Sequence, residues 1–401
     1  FQTIQIIASH QGYKNDTTFI NLANSNTIIK LDIQLKEIST SLQEIDLTDN
    51  QSRQKGITKI DPKIIKKLPT ATGGIEPIIK LLPGVSSSNE LSSQYSVRGG
   101  NYDENLIYVN GIEIYKPFLV RNGEQEGLSF INPNMISSID FSSGGFQAKF
   151  GDKLSSVLDV EYKKPQENTI SLDASFLGFS INIEGCTKKQ KHVFSYLIGS
   201  RIRSNNFLFN SLDTKGDYKP LFKDFQAYLT YTNQDYPEWE FSLLNYYSQN
   251  KYEMLPQNRE AKFGTIQEAL QLTIYFEGKE VDNYETLLSA ISSEYKPNNL
   301  LKLKLTSSFF QTKEQEFYDV LGEYWLGELD NNIGSDQLGE VAFNRGIGAY
   351  MNHARNIFNA NVFNIYHDGS YILADEFLNP LINVQGLIAE WGFKYQIENI
   401  E

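Results

Sequence analysis

From Pro165 onward the chain runs in long alternating segments: Ser171 to Glu184, Val193 to Ser204, Phe225 to Thr232, Glu238 to Tyr247, Glu285 to Tyr295 and Leu301 to Gln311. Successive side chains of a strand point to opposite faces, so period-two text of this kind reads as strand. Several segments exceed the mean strand of soluble proteins and match the ~10 residues that a tilted strand needs to cross a membrane. One face of Trp239 to Tyr247 carries Trp239, Phe241, Leu243, Asn245 and Tyr247, and the other carries Glu240, Ser242, Leu244 and Tyr246. An apolar face backed by a mixed one suits a wall between lipid and a polar lumen. No stretch approaches the ~20 apolar residues of a membrane-crossing helix, so a closed barrel is the remaining way to span a bilayer. Two stretches, 250–283 and 314–346, are expected to be long loops at one outward-facing end.

Composition is compatible with this reading without compelling it. Hydrophobic residues make up only 40% of the chain, yet 13% is aromatic, with 23 Tyr and 25 Phe. Such enrichment suits β-structure and the aromatic girdles of a membrane barrel, and equally a large soluble β-protein. The net charge of −13 excludes nucleic acid as a partner, because phosphate binding needs a basic surface. Cys186 stands alone, so there is neither an internal disulfide nor a thiolate metal cluster. His10, His192, His353 and His367 show no metal-ligand spacing, and no metal or cofactor is expected. Catalytic patterns are also lacking: there is no G-x-S-x-G elbow, phosphate loop or H-E-x-x-H. Ser96 has no sequence-marked base, and Asp103 and Glu104, read as adjacent strand residues, point to opposite faces. The acidic run with Glu44, Asp46 and Asp49 reads as solvated linker, with weak calcium binding as the alternative.

Before the long segments the text differs. Residues 1–42 carry three partial strand patterns, Phe1 to Ile7, Thr18 to Leu22 and Ile28 to Leu35, with a turn signal at His10 to Asp16. Residues 1–46 read as the end of a small β-sandwich that begins inside a strand, so further sequence is expected upstream. A polar stretch from 43 to about 60 reads as linker, and 47–67 leads into the next domain. Asp61 is a suitable helix N-cap with Pro62 at the first helical position. A second helix fits Gly74 to Leu82, where Ile75, Ile78, Ile79 and Leu82 follow helical spacing and Pro83-Gly84 ends the run. Short strands between glycine turns follow: Tyr95 to Arg98, Leu106 to Val109, Ile112 to Tyr115, Ile136 to Phe141 and Val157 to Val160. Residues 68–165 therefore read as a compact α+β domain, and 166–401 as barrel wall.

Four motifs of this domain occur in a specific order: Leu81-Leu-Pro-Gly-Val, Ser96-Val-Arg-Gly-Gly, Tyr108-Val-Asn-Gly-Ile-Glu-Ile-Tyr, and Ile139-Asp-Phe-Ser-Ser-Gly-Gly-Phe-Gln-Ala-Lys-Phe-Gly-Asp. In order and spacing the set resembles the plug of TonB-dependent receptors. Asn101 to Phe118 resembles Bacteroidetes-type receptors in particular. Gly12-Tyr-Lys and Ile33-Gln-Leu-Lys-Glu resemble the end of their carboxypeptidase-regulatory-like domain, and Phe194 to Arg201 and Phe222 to Gln226 their early barrel strands. The motif residues Pro83, Gly84, Ser96, Arg98, Gly99, Gly100, Asn110, Gly111, Gly144, Gly145 and Gly151 are expected to serve turns and packing rather than ligand contact. Arg98, if buried in a lumen, is expected to be met by a carboxylate or several backbone carbonyls.

The resemblance implies a mainly β outer-membrane protein: sandwich end, α+β plug, and the first part of an antiparallel barrel. About 22 strands enclose a folded plug, whereas roughly 235 residues supply roughly ten, so the barrel is expected to be incomplete here. Trp239, Tyr247 and Tyr295 are expected at the lipid face or rim. The function implied is nutrient import through a plugged barrel; a non-transporting scaffold in an outer-membrane complex is the alternative. Implied partners are outer-membrane lipid, a TonB-type energy transducer and a SusD-like surface lipoprotein or other complex subunits. The N-terminal domain is expected in the periplasm, with Leu42 to Asp49 the region in which to seek the transducer's box.

Overall fold

The computed structural model describes residues 2–8, 16–22, 31–34, 56–65, 74–87, 93–115, 129–204, 216–265, 268–373 and 387–401. They fall into two units, Phe1–Arg53 and Gln54–Glu401. In the first, β1 (Gln2–Ala8) and β2 (Asp16–Leu22) pair antiparallel from Gln2↔Leu22 to Ala8↔Asp16. Of the third expected strand, residues 31–34 belong to no strand, and the rest lies outside the described residues.

The second unit opens with a small α+β body. Its five-stranded sheet runs in the order β3 (Ile57–Ile60), β8 (Ile136–Ser142), β9 (Ser156–Tyr162), β6 (Asn105–Val109), β7 (Ile112–Glu113). Only β6 and β9 are parallel. The row Ile60–Ile139–Val160–Val109–Ile112 crosses all five strands on the face that packs into the core, and every member is buried. β3 lies inside the stretch expected to be linker. Four residues carry little periodicity, and pairing with β8 makes them a strand. The two expected helices are single turns. Asp61 caps as expected, its carboxylate accepting from the Lys63 amide at 2.9 Å, but the described turn is a 3-10 helix over Pro62–Ile64. α1 spans only Glu76–Ile79; Ile75, Ile78 and Ile79 are buried as their spacing requires, and Gly84 turns the chain at φ +81°. A two-residue pair, β4 (Val85–Ser86) with β5 (Ser96–Val97), completes the body.

The wall is a single antiparallel sheet in sequence order: β10 (Thr169–Ser175), β11 (Gly178–Lys189), β12 (His192–Arg203), β14 (Leu221–Asn233), β15 (Tyr236–Pro256), β17 (Ala269–Tyr295), β18 (Leu301–Leu329), β19 (Val341–Leu373) and β20 (Leu387–Ile400). Short β13 (Gly216–Tyr218) and β16 (Arg259–Gly264) pair alongside β15 and β17. Two expectations are corrected. Ser171 to Glu184 is not one strand but the hairpin β10–β11, turning at 176–177. A two-residue turn preserves period-two text, so alternation cannot reveal it. Nor are 250–283 and 314–346 long loops. β15, β16, β17, β18 and β19 run through most of them, leaving 257–258, 265, 268 and 330–340 as connections among the described residues. Outside lipid a strand needs no continuous apolar face, so these extensions read as polar loop.

The described connections at one end are short: 190–191, 234–235 and 296–300. At the other end β17, β18 and β19 reach 27, 29 and 33 residues. Short turns mark the periplasmic end of an outer-membrane barrel, and on the resemblance above the long strands would be the outward ones. Odd-numbered residues of β15 and β17 share the outer face through pairs such as Trp239↔Tyr295, so Trp239, Tyr247 and Tyr295 all lie there. Even-numbered Leu244, Tyr246 and Leu288 are buried against the core of the small domain. Ile291, 58% exposed, sits within the outer apolar row of β17. Ile291→Arg is expected to cost about 2–4 kcal/mol in a lipid bilayer, the range for a charge at the midplane of a barrel's lipid face. Denaturant titration in lipid vesicles measures it, and an unchanged midpoint would remove this face from the hydrocarbon.

Candidate functional site: the seat of the plug-like domain in the wall

Two neighbouring rows of inward-facing wall residues hold the small domain. The first is Asn182–Gly199–Gln226, directly opposite one another on β11, β12 and β14. Asn182 Oδ1 accepts from Asn132 Nδ2 at 3.0 Å. Gln226 donates to the Phe130 carbonyl at 2.6 Å and accepts from the Tyr162 hydroxyl at 2.7 Å. Gly199 lies between them because nothing larger fits: a Cβ there would stand 2.6 Å from Asn132 Nδ2 and 3.1 Å from Met135 Sδ. The second row contains Arg201 and Asp224, opposite each other and both buried. Asp224 takes two guanidinium nitrogens, Nε at 2.9 Å and Nη2. The remaining donors reach the carbonyls of Ser129 at 2.8 Å, Phe130 at 3.4 Å and Ile131 at 3.0 Å. A rigid five-donor fork is the side chain suited to this, since one charge satisfies a carboxylate and three main-chain acceptors together.

A second seat lies further round the wall. Lys304 of β18 donates to the Asn110 carbonyl at 2.6 Å, and Lys394 of β20 pairs with Glu113 at 2.5 Å. The Tyr115 hydroxyl bridges to Gln396 at 3.0 Å and Asn364 at 3.3 Å. The chain then leaves the small domain through Lys163–Glu184 at 3.3 Å, Lys164–Glu240 at 2.5 Å and a Ser195 hydroxyl bond to the Pro165 carbonyl at 3.0 Å. Between the seats, Leu197, Tyr228, Leu244, Tyr246, Leu288, Phe310 and Val362 of the wall join the apolar core of the small domain. The attachment is thus apolar at its centre and polar at defined points.

Of the sequence motifs, Tyr108 to Tyr115 reaches the second seat through Asn110, Glu113 and Tyr115, and the others lie elsewhere. Asn110 and Gly111, at φ +54° and +73°, form the tight β6–β7 turn, and Asn110 Oδ1 accepts from the Tyr162 amide at 2.8 Å. Gly100 lies against Ser155 and Glu104, Ser96 pairs with Ser86, and Pro83, Gly84, Gly99, Gly145 and Gly151 line exposed or half-buried turns. Arg98 is corrected. It is exposed, and no ion pair reaches its guanidinium among the described residues. Its side chain instead lies across Gly84 and Gly144, where added Cβ atoms would meet it at 3.5 and 3.2 Å. The glycines leave a flat bed for the side chain, so no burial penalty demands a counter-charge. Sequence reasoning missed Arg201, Asp224, Gln226 and Lys304. The available signal was parity: each falls on the mixed face of a strand whose other face is apolar.

One charged row crosses the small sheet opposite its core: Lys59, Asp140, Asp159, Tyr108 and Glu113. Burial pushes the Asp159 carboxyl up to about 6 against the pull of Lys149, with Glu161 and Asp140 raising it further and Lys304 lowering it. An acid whose folded value lies above its unfolded one holds its proton more tightly when folded. Stability therefore falls as pH rises from about 4 to about 6 and is level beyond. Asp159→Asn is expected to remove that slope; denaturation midpoints across this window test it, and an unchanged slope places the dependence on another group.

Residues 41–156 match the family model described as TonB-dependent Receptor Plug Domain. No curated protein matches the chain. Similar solved structures include the siderophore receptor PirA from Acinetobacter baumannii, at 11% identity and TM-score 0.38, covering 80% of this chain and 62% of that one. A ferric enterobactin receptor (PfeA) mutant from Pseudomonas aeruginosa is similar at 12% identity and TM-score 0.42, covering 88% and 59%. The ferric yersiniabactin uptake receptor FyuA from Yersinia pestis is similar at 10% identity and TM-score 0.41, covering 87% and 62%. The chain spans about three fifths of the length of these structures. A receptor plug is not an enzyme domain, and the seat found here is built for holding rather than for chemistry. Residues 41–156 match the TonB-dependent receptor plug model, and the chain joins that domain to a wall of antiparallel strands.

Proposed function

We propose that this chain is the plug and leading barrel wall of a TonB-dependent transporter that imports a nutrient ligand across the outer membrane. The observation that carries the reading is the kind of attachment. The wall holds the plug by side-chain hydrogen bonds and ion pairs, not by sheet continuity, so the plug can leave its seat without opening the barrel ladder. The outer membrane holds no energy source of its own, and a TonB-type transducer is the partner that would pull from the periplasm. β3 supports this: it is a four-residue edge strand that pairs, among the described residues, only with β8, and it lies inside the 47–67 segment. A pull on that segment loads this edge strand first.

On the finer points, 1–46 is read as a periplasmic carboxypeptidase-regulatory-like remnant, 68–165 as the plug and 166–401 as barrel, in a Bacteroidetes-type receptor that takes a SusD-like lipoprotein at its mouth. The test is a switchable crosslink in the full-length receptor, Asn132→Cys with Asn182→Cys, where the native side chains lie 3.0 Å apart. Uptake of probe ligands (ferric siderophores, cobalamin, oligosaccharides) in transducer-proficient cells is expected to stop on oxidation and return on reduction. Uptake of a probe that persists through oxidation would reject plug movement at this seat. A receptor that takes up none of these probes, while its complex disassembles on deletion, would favour the scaffold.

A further inference from the structure

The outer face of the wall carries two apolar bands where one suffices for a membrane. The lower band includes Leu287, Ile291 and Tyr295 on β17, Leu303, Leu305 and Phe309 on β18, and Phe363, Ile365 and Tyr371 on β19, all facing out by register. It is seven to nine residues deep on each strand, which at ~3.4 Å per residue and a tilt of about 40° gives roughly 20 Å of height, close to a barrel's ~25 Å apolar band. A polar belt follows: Asn283 and Glu285, then Gln311, Lys313 and Gln315, then Asn359 and Asn361.

Above the belt the same face turns apolar again. Leu321 stands opposite Met351, and Trp325 opposite Ile347, with Tyr275 on the neighbouring strand. Tyr275 is 47% exposed and Trp325, between β17 and β19, 39%. From Phe309 to Trp325 the strand climbs roughly 50 Å, or roughly 40 Å of height at a tilt of about 40°, which exceeds the apolar thickness of the membrane. This upper patch therefore stands in water on the outward extension, where bare Trp and Tyr side chains are types that mark a protein interface.

The charges around the patch indicate what fits it. Asp319 binds both His353, at 2.7 Å, and Arg355, and Arg355 also covers the Phe317 ring at 5.1 Å, so that edge is already satisfied. Glu277, opposite Leu321, and Glu323, opposite Tyr275, lie within the patch, and no ion pair reaches either among the described residues. Two uncommitted carboxylates disfavour the anionic phosphates of outer-membrane glycolipid and favour cations.

We infer that the outer flank of the β17–β19 extension docks a second, different protein, whose contact surface has an apolar centre and Lys or Arg side chains opposite Glu277 and Glu323. The partner sits beside the barrel mouth, so the inference holds whether or not the barrel transports.

The experiment places a photo-crosslinking amino acid at Trp325 or at Ile347 in the full-length receptor, in its native outer membrane, with Ile291 as the lipid-facing control. One and the same protein is expected to crosslink from both upper positions and not from Ile291. Its co-purification is expected to fall by about tenfold, the equivalent of ~1.4 kcal/mol, in the Glu277→Lys, Glu323→Lys variant, whose own assembly is verified by protease resistance of the barrel. Adducts only with glycolipid, only with a second copy of this chain, with unrelated proteins from the two positions, or with none would overturn the inference. So would a common partner indifferent to the charge reversal.

Discussion

Arg201→Ala is expected to release the 129–131 segment of the plug from the wall and to destabilise the seated plug by about 3–5 kcal/mol, the cost of breaking a buried pair from one side. The expectation rests on what the truncation leaves behind. Asp224 is 4% exposed and would lose the guanidinium that holds it, since its other bond among the described residues, from Gln226 at 3.2 Å, is neutral. Three plug carbonyls would lose the guanidinium at once, Phe130 keeping its bond from Gln226. Arg201→Lys should recover only part of the loss, because an ammonium cannot hold a carboxylate through two nitrogens and still reach three carbonyls. The pair Arg201→Met with Asp224→Leu should cost less than Arg201→Ala alone, because no charge is then stranded. Protease accessibility of the plug in the intact receptor, with the susceptibility of expressing cells to a large antibiotic, reads the unseating. If Arg201→Ala left both unchanged, the apolar contacts alone would hold the plug.

Legibility of the fold followed the range of the interaction that forms each part. The lower halves of β12, β14, β15, β17 and β18 were visible as alternation because lipid on one side demands it. The upper halves of β15, β17 and β18 were not, because water on the outside imposes no such pattern. Helical spacing at Ile75, Ile78 and Ile79 identified the buried face of α1 but not its single-turn length, which the surrounding sheet decides. Asn110 and Gly111 were legible as a turn, since only a few residue types accept positive φ. The seat itself was not legible. Arg201 meets carbonyls about seventy residues earlier in the chain, and a main-chain acceptor leaves no mark in the sequence. Arg98 shows the reverse error: a charge within a motif suggested a buried partner, whereas the structure places it across glycines at the surface.

Gly199→Val is expected to displace the plug from its first seat while leaving the barrel strand intact. A strand accepts valine readily, and β12 already carries Val193 and Ile198, so the ladder from Gly178↔Arg203 to Lys189↔His192 should persist. The conflict lies on the inner face. The added Cβ alone would stand 2.6 Å from Asn132 Nδ2, 2.8 Å from Asn182 Oδ1 and 3.1 Å from Met135 Sδ. The first two are the partners of the Asn132–Asn182 bond, so relief breaks that bond or moves 130–132 as a whole. Moving it also stretches the Gln226 bond to the Phe130 carbonyl and the Arg201 bonds beside it. Overpacking typically costs about 1–3 kcal/mol, and loss of the adjoining polar bonds adds to that. Gly199→Ala, carrying only the Cβ, should show a smaller effect of the same kind. Amide exchange resolved by residue in the purified receptor separates the two parts. Protection is expected to drop around Phe130 to Met135 and to hold along β11, β12 and β14. Loss of protection along β12 itself would mean that the glycine serves the wall rather than the plug.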